Sequence, residues 1–556
     1  MTDEQSGDLV FVPLGGAGEI GMNLNLYGYE VADQQSWVMV DLGVTFNDGT
    51  IPGVDVIMPD PTFIEEQRED LLALILTHAH EDHLGAVAYL WPRLKCPVYA
   101  TPFTASILRR KLAEADLLDD VEINVIALGG RFQIGPFDFE LITMTHSILE
   151  PNAIAIRTPS GTILHTGDWK FDADPVIGDI SDQDALRRLG DEGVRAIVCD
   201  STNVFSPGDS GSEAELLDNL TTLIGAAEGK VAVACFASNV ARLETISQAS
   251  RANGRDVVIA GQSLIRIEKA ARENGYLKDV PQFIQQEEAG FLPGNKTVII
   301  CTGSQGEPRA ALSRIASNDH PYISLGQGDT VLFSSRVIPG NETSIARLQN
   351  QLVRQGVHII TASDAFIHVS GHPARDELTH MYQLVRPEIS IPVHGELRHL
   401  REHARLAKQC QVDTAIVAEN GSVIRIGPGE AKIIDHVFSG RLILDGSRLV
   451  PTNSEIFKSR TRAMWHGTAT VSVVIDEDGE LLADPQLSTT GLFEDDRDPI
   501  YLEALDQAED AVVSLSDRDA RDDGKVREAV RLAVRRHLRH SLGKKPVTEV
   551  HLLRVT

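Results

Sequence analysis

Directly after the apolar run Leu71 to Leu76, three imidazoles and a carboxylate arrive within six residues, as His78-Ala-His80-Glu-Asp82-His83. In an extended chain side chains alternate with period two, so His78 and His80 project to the same side. Asp82 and His83 then fall on the following loop or helix turn, where they can address a second cation. Imidazole and carboxylate donors without thiolates suit zinc or manganese in a catalytic site, not a structural thiolate site. The competing reading, a solvated histidine-rich loop, gives no reason for ligand-type residues to gather at a strand end.

Other candidates stand singly. His146 (MTHSIL), Asp168 (HTGDWKFD), Asp200 (VCDST) and His394 (IPVHGE) each follow a strand-like run. Taken one at a time each is equally a polar strand-end residue, and Asp200 equally a cap or turn residue. His368, Ser370, Gly371 and His372 form HVSGH, which also reads as a polar β-turn. Ser238 and Asn239 stand where a helix should begin, so they either cap it or offer its amides and dipole to an anion. Gly16-Ala-Gly18-Glu-Ile-Gly21 matches the dinucleotide pattern GxGxxG, with Asp41 further on. That fingerprint needs a following helix. Here NLNLYGYEV alternates polar and apolar, which reads as a strand and argues against a cofactor of that kind.

These residues are set by short strands. From Leu9 to about Phe205 strand-like runs (LVFVPL, SWVMVDLG, ALILTHAH, PVYAT, FDFELITMTH, AIAIRT, TILHTGD, AIVCDST) alternate with polar loops, and helical patterns are few, chiefly near Ala86–Leu90 and Phe103–Leu118. Many strands with few helices suggest packed sheets with helices outside. From Gly208 to Ala365 the rhythm becomes strand, polar loop, helix, as in VAVACF, TVIICT and TVLFSS with the elements after them, the pattern of a doubly wound parallel domain. Strand-like text then resumes with HVSGH, SIPVHGE, AIVAENG and SVIRIG. The division expected is residues 1–207 and 366–445 for one core, 208–365 inserted, 446–466 a linker, and 467–556 a small α/β domain. In the last, Arg527, Arg531, Arg535, Arg536 and Arg539 share a helix with Val526, Val530, Leu532, Val534 and Leu538, read as a solvated face packed against a neighbour.

A chain of 556 residues is too long for one core. Its five cysteines form no CxxC pair, which argues against a disulfide framework or thiolate metal site. The polar, acidic start and the absence of any membrane-length apolar run suggest a cytoplasmic protein. A net charge of −29 repels polyanions, so a nucleic-acid substrate requires cations gathered locally by metals or a basic groove.

The HxHxDH run resembles the signature of the metallo-β-lactamase superfamily. That resemblance implies an αββα sandwich in which His78, His80 and His146 hold one metal. Asp82, His83 and His394 would hold a second, with Asp168 bridging. A late acidic residue, an SGH element and an inserted domain together resemble the β-CASP nucleases, in which an acidic residue orients the SGH histidine that protonates the leaving oxygen. Asp200 and His372 match that pair, and a histidine at the last metal position, His394, matches the RNA-processing members. The stretches GGAGEIGMN, VDLG, PDPTFI, HTGDWKFD, TGSQGEP and PVHGE resemble the ribonuclease J family over nearly the whole chain.

The resemblance implies two divalent ions, zinc first and manganese or magnesium as alternatives, and hydrolysis of RNA 5′-to-3′ with endonuclease cleavage besides. The expected partner is single-stranded, 5′-monophosphorylated RNA, with His368, Ser370, Gly371, Ser238 and Asn239 as substrate contacts. Self-association as a homodimer or homotetramer is also expected, any further RNA-decay proteins being unspecified. A small-molecule hydrolase of the same metal fold would need no inserted domain over its site. A non-catalytic RNA-binding scaffold would be expected to have lost ligands.

Overall fold

In a computed structural model, residues 7–47 and 49–555 are described. The reading of the acidic start falls mostly on residues 1–6, outside them. Contacts divide the chain into two units: one runs to Phe46 and over Val56–Leu442, the other comprises Asn47–Asp55 and the chain from Ile443 onward.

In the first unit, the strand-like runs of the N-terminal segment form two sheets, eight- and seven-stranded among the described residues. One includes Asp8–Gly15, Leu24–Val31, Gln34–Val40 and Leu71–Ile75; the other includes Phe137–Thr143, Asn152–Thr158, Gly161–His165, Ala196–Asp200 and Ile389–Val393. Their inner faces share one core, where Phe11, Tyr27, Val38, Val40 and Ile75 meet Phe139, Ile154, Ile163, Val198 and Ile391. The outer face of the second sheet is covered by helices Gln183–Glu192, Arg375–Val385 and Leu397–Gln409 through Leu186, Leu378, Met381 and Leu406. This is the expected αββα sandwich. Its ligand-bearing strands run in parallel registers, Ile163–His165 beside Ala196–Val198 and the latter beside Ile389–Ile391, so their C-terminal ends come out together.

The inserted segment is a six-stranded, all-parallel sheet with the order of a doubly wound domain, Val231–Ala234 lying between Thr297–Cys301 and Thr330–Phe333. The expectations differ from the structure at three places. HVSGH is a loop between strand His358–Thr361 and helix Arg375–Val385, because its side chains are committed to the site below and not to a ladder. Most of AIVAENG is likewise irregular, with only Thr414–Ala415 paired. The segment 446–466 is not a linker: it holds strand Arg448–Pro451 and helix Glu455–His466. Of its three serines Ser454 is a cap, accepting from the Ile456 amide, while Phe457 is buried and Arg460 pairs with Asp445.

In the second unit, strand Thr468–Ile475 lies antiparallel to Leu481–Thr490 and parallel to Val547–Arg554. Helices Pro499–Val513 and Asp523–Leu542 close its core, the latter through Val526, Val530, Val534 and Leu538 at four-residue spacing. The arginines lie on the remaining faces. No helix among the described residues is long and apolar enough to cross a membrane. All five cysteines are free.

Candidate metal centre

Strand Leu71–Ile75 carries the chain inward, and the turn after it brings His78 and His80 onto a common point. There His78 Nε2 lies 3.0 Å from His80 Nδ1, which in turn lies 3.1 Å from His146 Nε2. Burial and the neighbouring imidazoles hold His78 and His146 well below the ordinary histidine range, and burial brings His80 down to about 4. All three are neutral at pH 7, so three lone pairs converge. Facing lone pairs repel unless a cation lies among them.

The short helix Glu81–Leu84 then turns Asp82 and His83 toward a second point. His83 Nε2 is 3.2 Å from Asp168 Oδ2 and 3.5 Å from Asp82 Oδ2; His394 Nε2 is 3.6 and 3.7 Å from the same two oxygens. Asp168 Oδ2 is also 3.7 Å from His146 Nε2, so one carboxylate serves both groups. Ligands bound at 2.0–2.1 Å in a tetrahedron stand about 3.3 Å apart. The observed separations bracket that value, and the residues present fit two divalent cations sharing Asp168.

The nitrogen that each histidine turns away from the site is also occupied, as a metal ligand requires to fix its tautomer. His78 Nδ1 donates to Thr77 Oγ1 (3.0 Å), His80 Nε2 to Ser238 Oγ (2.9 Å) and His83 Nδ1 to Asp41 Oδ2 (2.6 Å). His146 Nδ1 donates to the Gly371 carbonyl (2.5 Å) and His394 Nδ1 to Asn23 Oδ1 (3.1 Å). Asp41 also accepts from the amide and hydroxyl of Thr77, tying both halves of the HxHxDH run to one buried carboxylate. Among these residues Asp82 and Asp168 stay ionised: burial opposes this, but the surrounding histidines outweigh it and hold both below the usual carboxylate range.

Beside this cluster, at the end of strand Ala196–Asp200, Asp200 Oδ2 accepts from His372 Nδ1 at 2.8 Å. Asp200 Oδ1 is held by the amide and hydroxyl of Thr202. Burial lowers the pKa of His372, yet Asp200 and Asp168 overcome it and raise it to about 9. His372 Nδ1 stands 3.9 Å from Asp168 Oδ2, so a protonated imidazole faces the cation site.

Family models match along nearly the whole chain: the metallo-beta-lactamase superfamily over 27–226, the ribonuclease J beta-CASP domain over 228–352, a Zn-dependent metallo-hydrolase RNA specificity domain over 356–417, and the ribonuclease J C-terminal domain over 456–555. Ribonuclease J of Sinorhizobium meliloti is 44% identical over 553 residues, covering 99% of this chain and 98% of the relative. The chain belongs to the ribonuclease J family. Ribonuclease J of Mycolicibacterium smegmatis is 38% identical, with 97% of this chain and 96% of the relative covered. A crystal structure of a protein of unknown function from Enterococcus faecalis V583 shares the fold, with a TM-score of 0.51 at 15% identity, covering 75% of this chain and 100% of that one. The chain is a metal-dependent hydrolase whose substrate is RNA.

Next to the ligand cluster, Ser370 Oγ accepts from Asn203 Nδ2 (2.7 Å) and from the His372 amide (3.2 Å). Gly371 has no room for a side chain, since a Cβ would stand 2.8 Å from the His146 ring. His368 is brought to about 3 by burial and by Arg242, Arg336 and Lys170, and its Nδ1 is buried without a partner. Arg242 and Lys170 are neutralised by Glu213 and Asp172, whereas the side chain of exposed Arg336 meets, among the described residues, only Asn203 Oδ1. Ser238 and Asn239 do not form a free anion pocket. Asn239 caps helix Val240–Ala252 and donates to Glu213, and Ser238 is the partner of His80.

Sequence reasoning did not assign Asp41, Asn23, Thr77, Asn203 or Arg336. Asp41 was legible only as the acidic residue of the GxGxxG decoy. In the structure the glycine loop is instead the collar of the metal site. The Gly16 carbonyl accepts from the His394 amide, and a Cβ on Gly16 would strike Asn23 Oδ1 at 2.3 Å.

Proposed function

We propose that this chain hydrolyses single-stranded RNA from a 5′-monophosphorylated end in the 5′-to-3′ direction, with internal cleavage as a second mode, leaving 5′-phosphates. Its setting is RNA maturation and decay in the cytoplasm. The observation that carries the reading is the bridged donor set flanked by a protonated histidine on a buried aspartate.

In this reading His78, His80 and His146 hold one cation, Asp82, His83 and His394 a second, and Asp168 both, with zinc the metal best suited to the donors. When bound, the cations supply Lewis acidity, lowering the pKa of water and offsetting phosphodiester charge. Hydroxide, its parent water having lost a proton to solvent, would add its oxygen to phosphorus as the bond to the 3′ oxygen breaks. His372 gives that oxygen its proton, and Asp200 holds the ring in place and stabilises its charged form. His368, Ser370 and Arg336 ring the phosphate side and bind its oxygens. Ser238 contributes by fixing His80, and Asn239 by capping the helix that carries Ser238 into place.

Exposed Trp465, Val513 and Leu553 in the C-terminal unit support self-association to a homodimer or homotetramer. The terminal-phosphate mode is tested by digesting the same RNA with 5′-mono- and 5′-triphosphate ends. Monophosphorylated RNA is expected to be consumed faster; equal rates would contradict the mode.

A further inference from the structure

In a chain with a net charge of −29, three arginines gather on one stripe of helix Leu397–Gln409. Arg398, Arg401 and Arg405 are spaced by three and four residues, the spacing of one helical face. They line an open depression of about 500 Å³ with Leu397, Glu402 and Phe205. Phe205 is 54% exposed, a costly position for a bare aromatic ring. Arg398 and Arg405 are shared with Glu396 and Glu402, whereas exposed Arg401 has no hydrogen bond or ion pair among the described residues.

The depression adjoins the centre already described. Phe205 follows Asn203, whose side chain donates to Ser370 Oγ and to the His372 carbonyl and accepts from Arg336. Its ring lies edge-on to His399, with centroids 5.3 Å apart. His399 in turn packs on Gly395, the residue after His394, where a Cβ would come within 2.9 Å of the His399 Cβ. Arg336 lies beside Asn203, its Nη1 donating to Asn203 Oδ1 at 2.6 Å. From the Ser370–Asn203 contact through Arg336 to Phe205 and Arg401 the surface offers cations and an aromatic face.

We infer that Phe205 and the arginine stripe of Arg398, Arg401 and Arg405 form a binding subsite for single-stranded RNA, one base stacking on Phe205 while backbone phosphates lie along the arginines. The inference rests on the nuclease reading and names where the strand continues outside the catalytic centre. Stacking accepts any base because each has a π face, and arginines beside it neutralise phosphates. A paired strand has no free base to give.

The test is fluorescence anisotropy of a labelled single-stranded RNA with phosphorothioate linkages, which resist turnover, on the full metal-loaded chain. Phe205→Ala should raise the Kd about 5- to 150-fold, the range found for losing one stacked base, and Phe205→Trp should keep it near the parent value. Arg401→Glu should weaken binding of single- and double-stranded RNA alike and flatten the salt dependence, whereas Phe205→Ala should affect the duplex little. An unchanged melting temperature shows that the exposed ring was not holding the fold. Tight binding by the parent chain with unaltered affinity in Phe205→Ala overturns the subsite and leaves the patch to a protein partner. Failure of the parent chain to bind single-stranded RNA at all overturns the nuclease reading with it.

Discussion

At the scale of single residues, the role proposed for His372 holds only while it carries a proton. Its pKa, raised to about 9 by Asp200 and Asp168 against the pull of burial, keeps it protonated at neutral pH. The proton it donates is therefore in place at neutral pH and is lost as pH rises through about 9. In Asp200→Asn burial is less opposed, so the alkaline limb of the kcat profile should move to lower pH. His372→Ala should lower kcat by about 10²- to 10⁴-fold, the usual worth of a general acid. An unmoved limb in Asp200→Asn would remove Asp200 from this role. Asp41 touches no reacting atom but holds His83 and Thr77. Asp41→Asn should weaken metal affinity about 10- to 100-fold, read by competition with a chromogenic chelator.

At the scale of elements, a loop and a helix of the inserted domain flank the ligand-bearing strand ends. The HVSGH loop is locked to His146 through Gly371, and the helix Val240–Ala252 brings Ser238 to His80. Gly371→Ala should push the His146 ring aside and reduce bound metal, measured by elemental analysis of the folded variant. The helix itself is held by Arg242, wholly buried and forked onto Glu213. Removing one partner of a buried pair costs about 3–5 kcal/mol because the other charge is stranded. Glu213→Ala should therefore lower the melting temperature clearly, and a melt unchanged from the parent would contradict that. Strands were readable in the sequence because their period-two alternation is a local property, as in NLNLYGYEV. The helix Glu455–His466 was not, because its flanking Gly, Pro and Ser residues resemble a linker and its anchor, Phe457, is a single buried residue.

At the scale of the whole molecule, the ligand set was legible because four of its members sit within six residues and the others end strands. The groups that aim those ligands were not. Asn23 and His394 are 371 residues apart, and Ser238 lies 158 residues from His80. No local pattern links such pairs; only the folded chain does. An acidic protein that binds RNA must also confine its attraction to one face. RNA affinity should consequently fall steeply with salt through a few phosphate contacts, read as a linear slope of log K against log salt. The central claim is that seven side chains from distant parts of the chain seat two divalent cations that make the protein a ribonuclease. Its most direct test is elemental analysis of the purified chain paired with RNA digestion before and after chelation. Two equivalents of divalent metal per chain, with cleavage lost on chelation and regained on adding metal back, is the result expected. Full cleavage of RNA by a chain that holds no metal would contradict it.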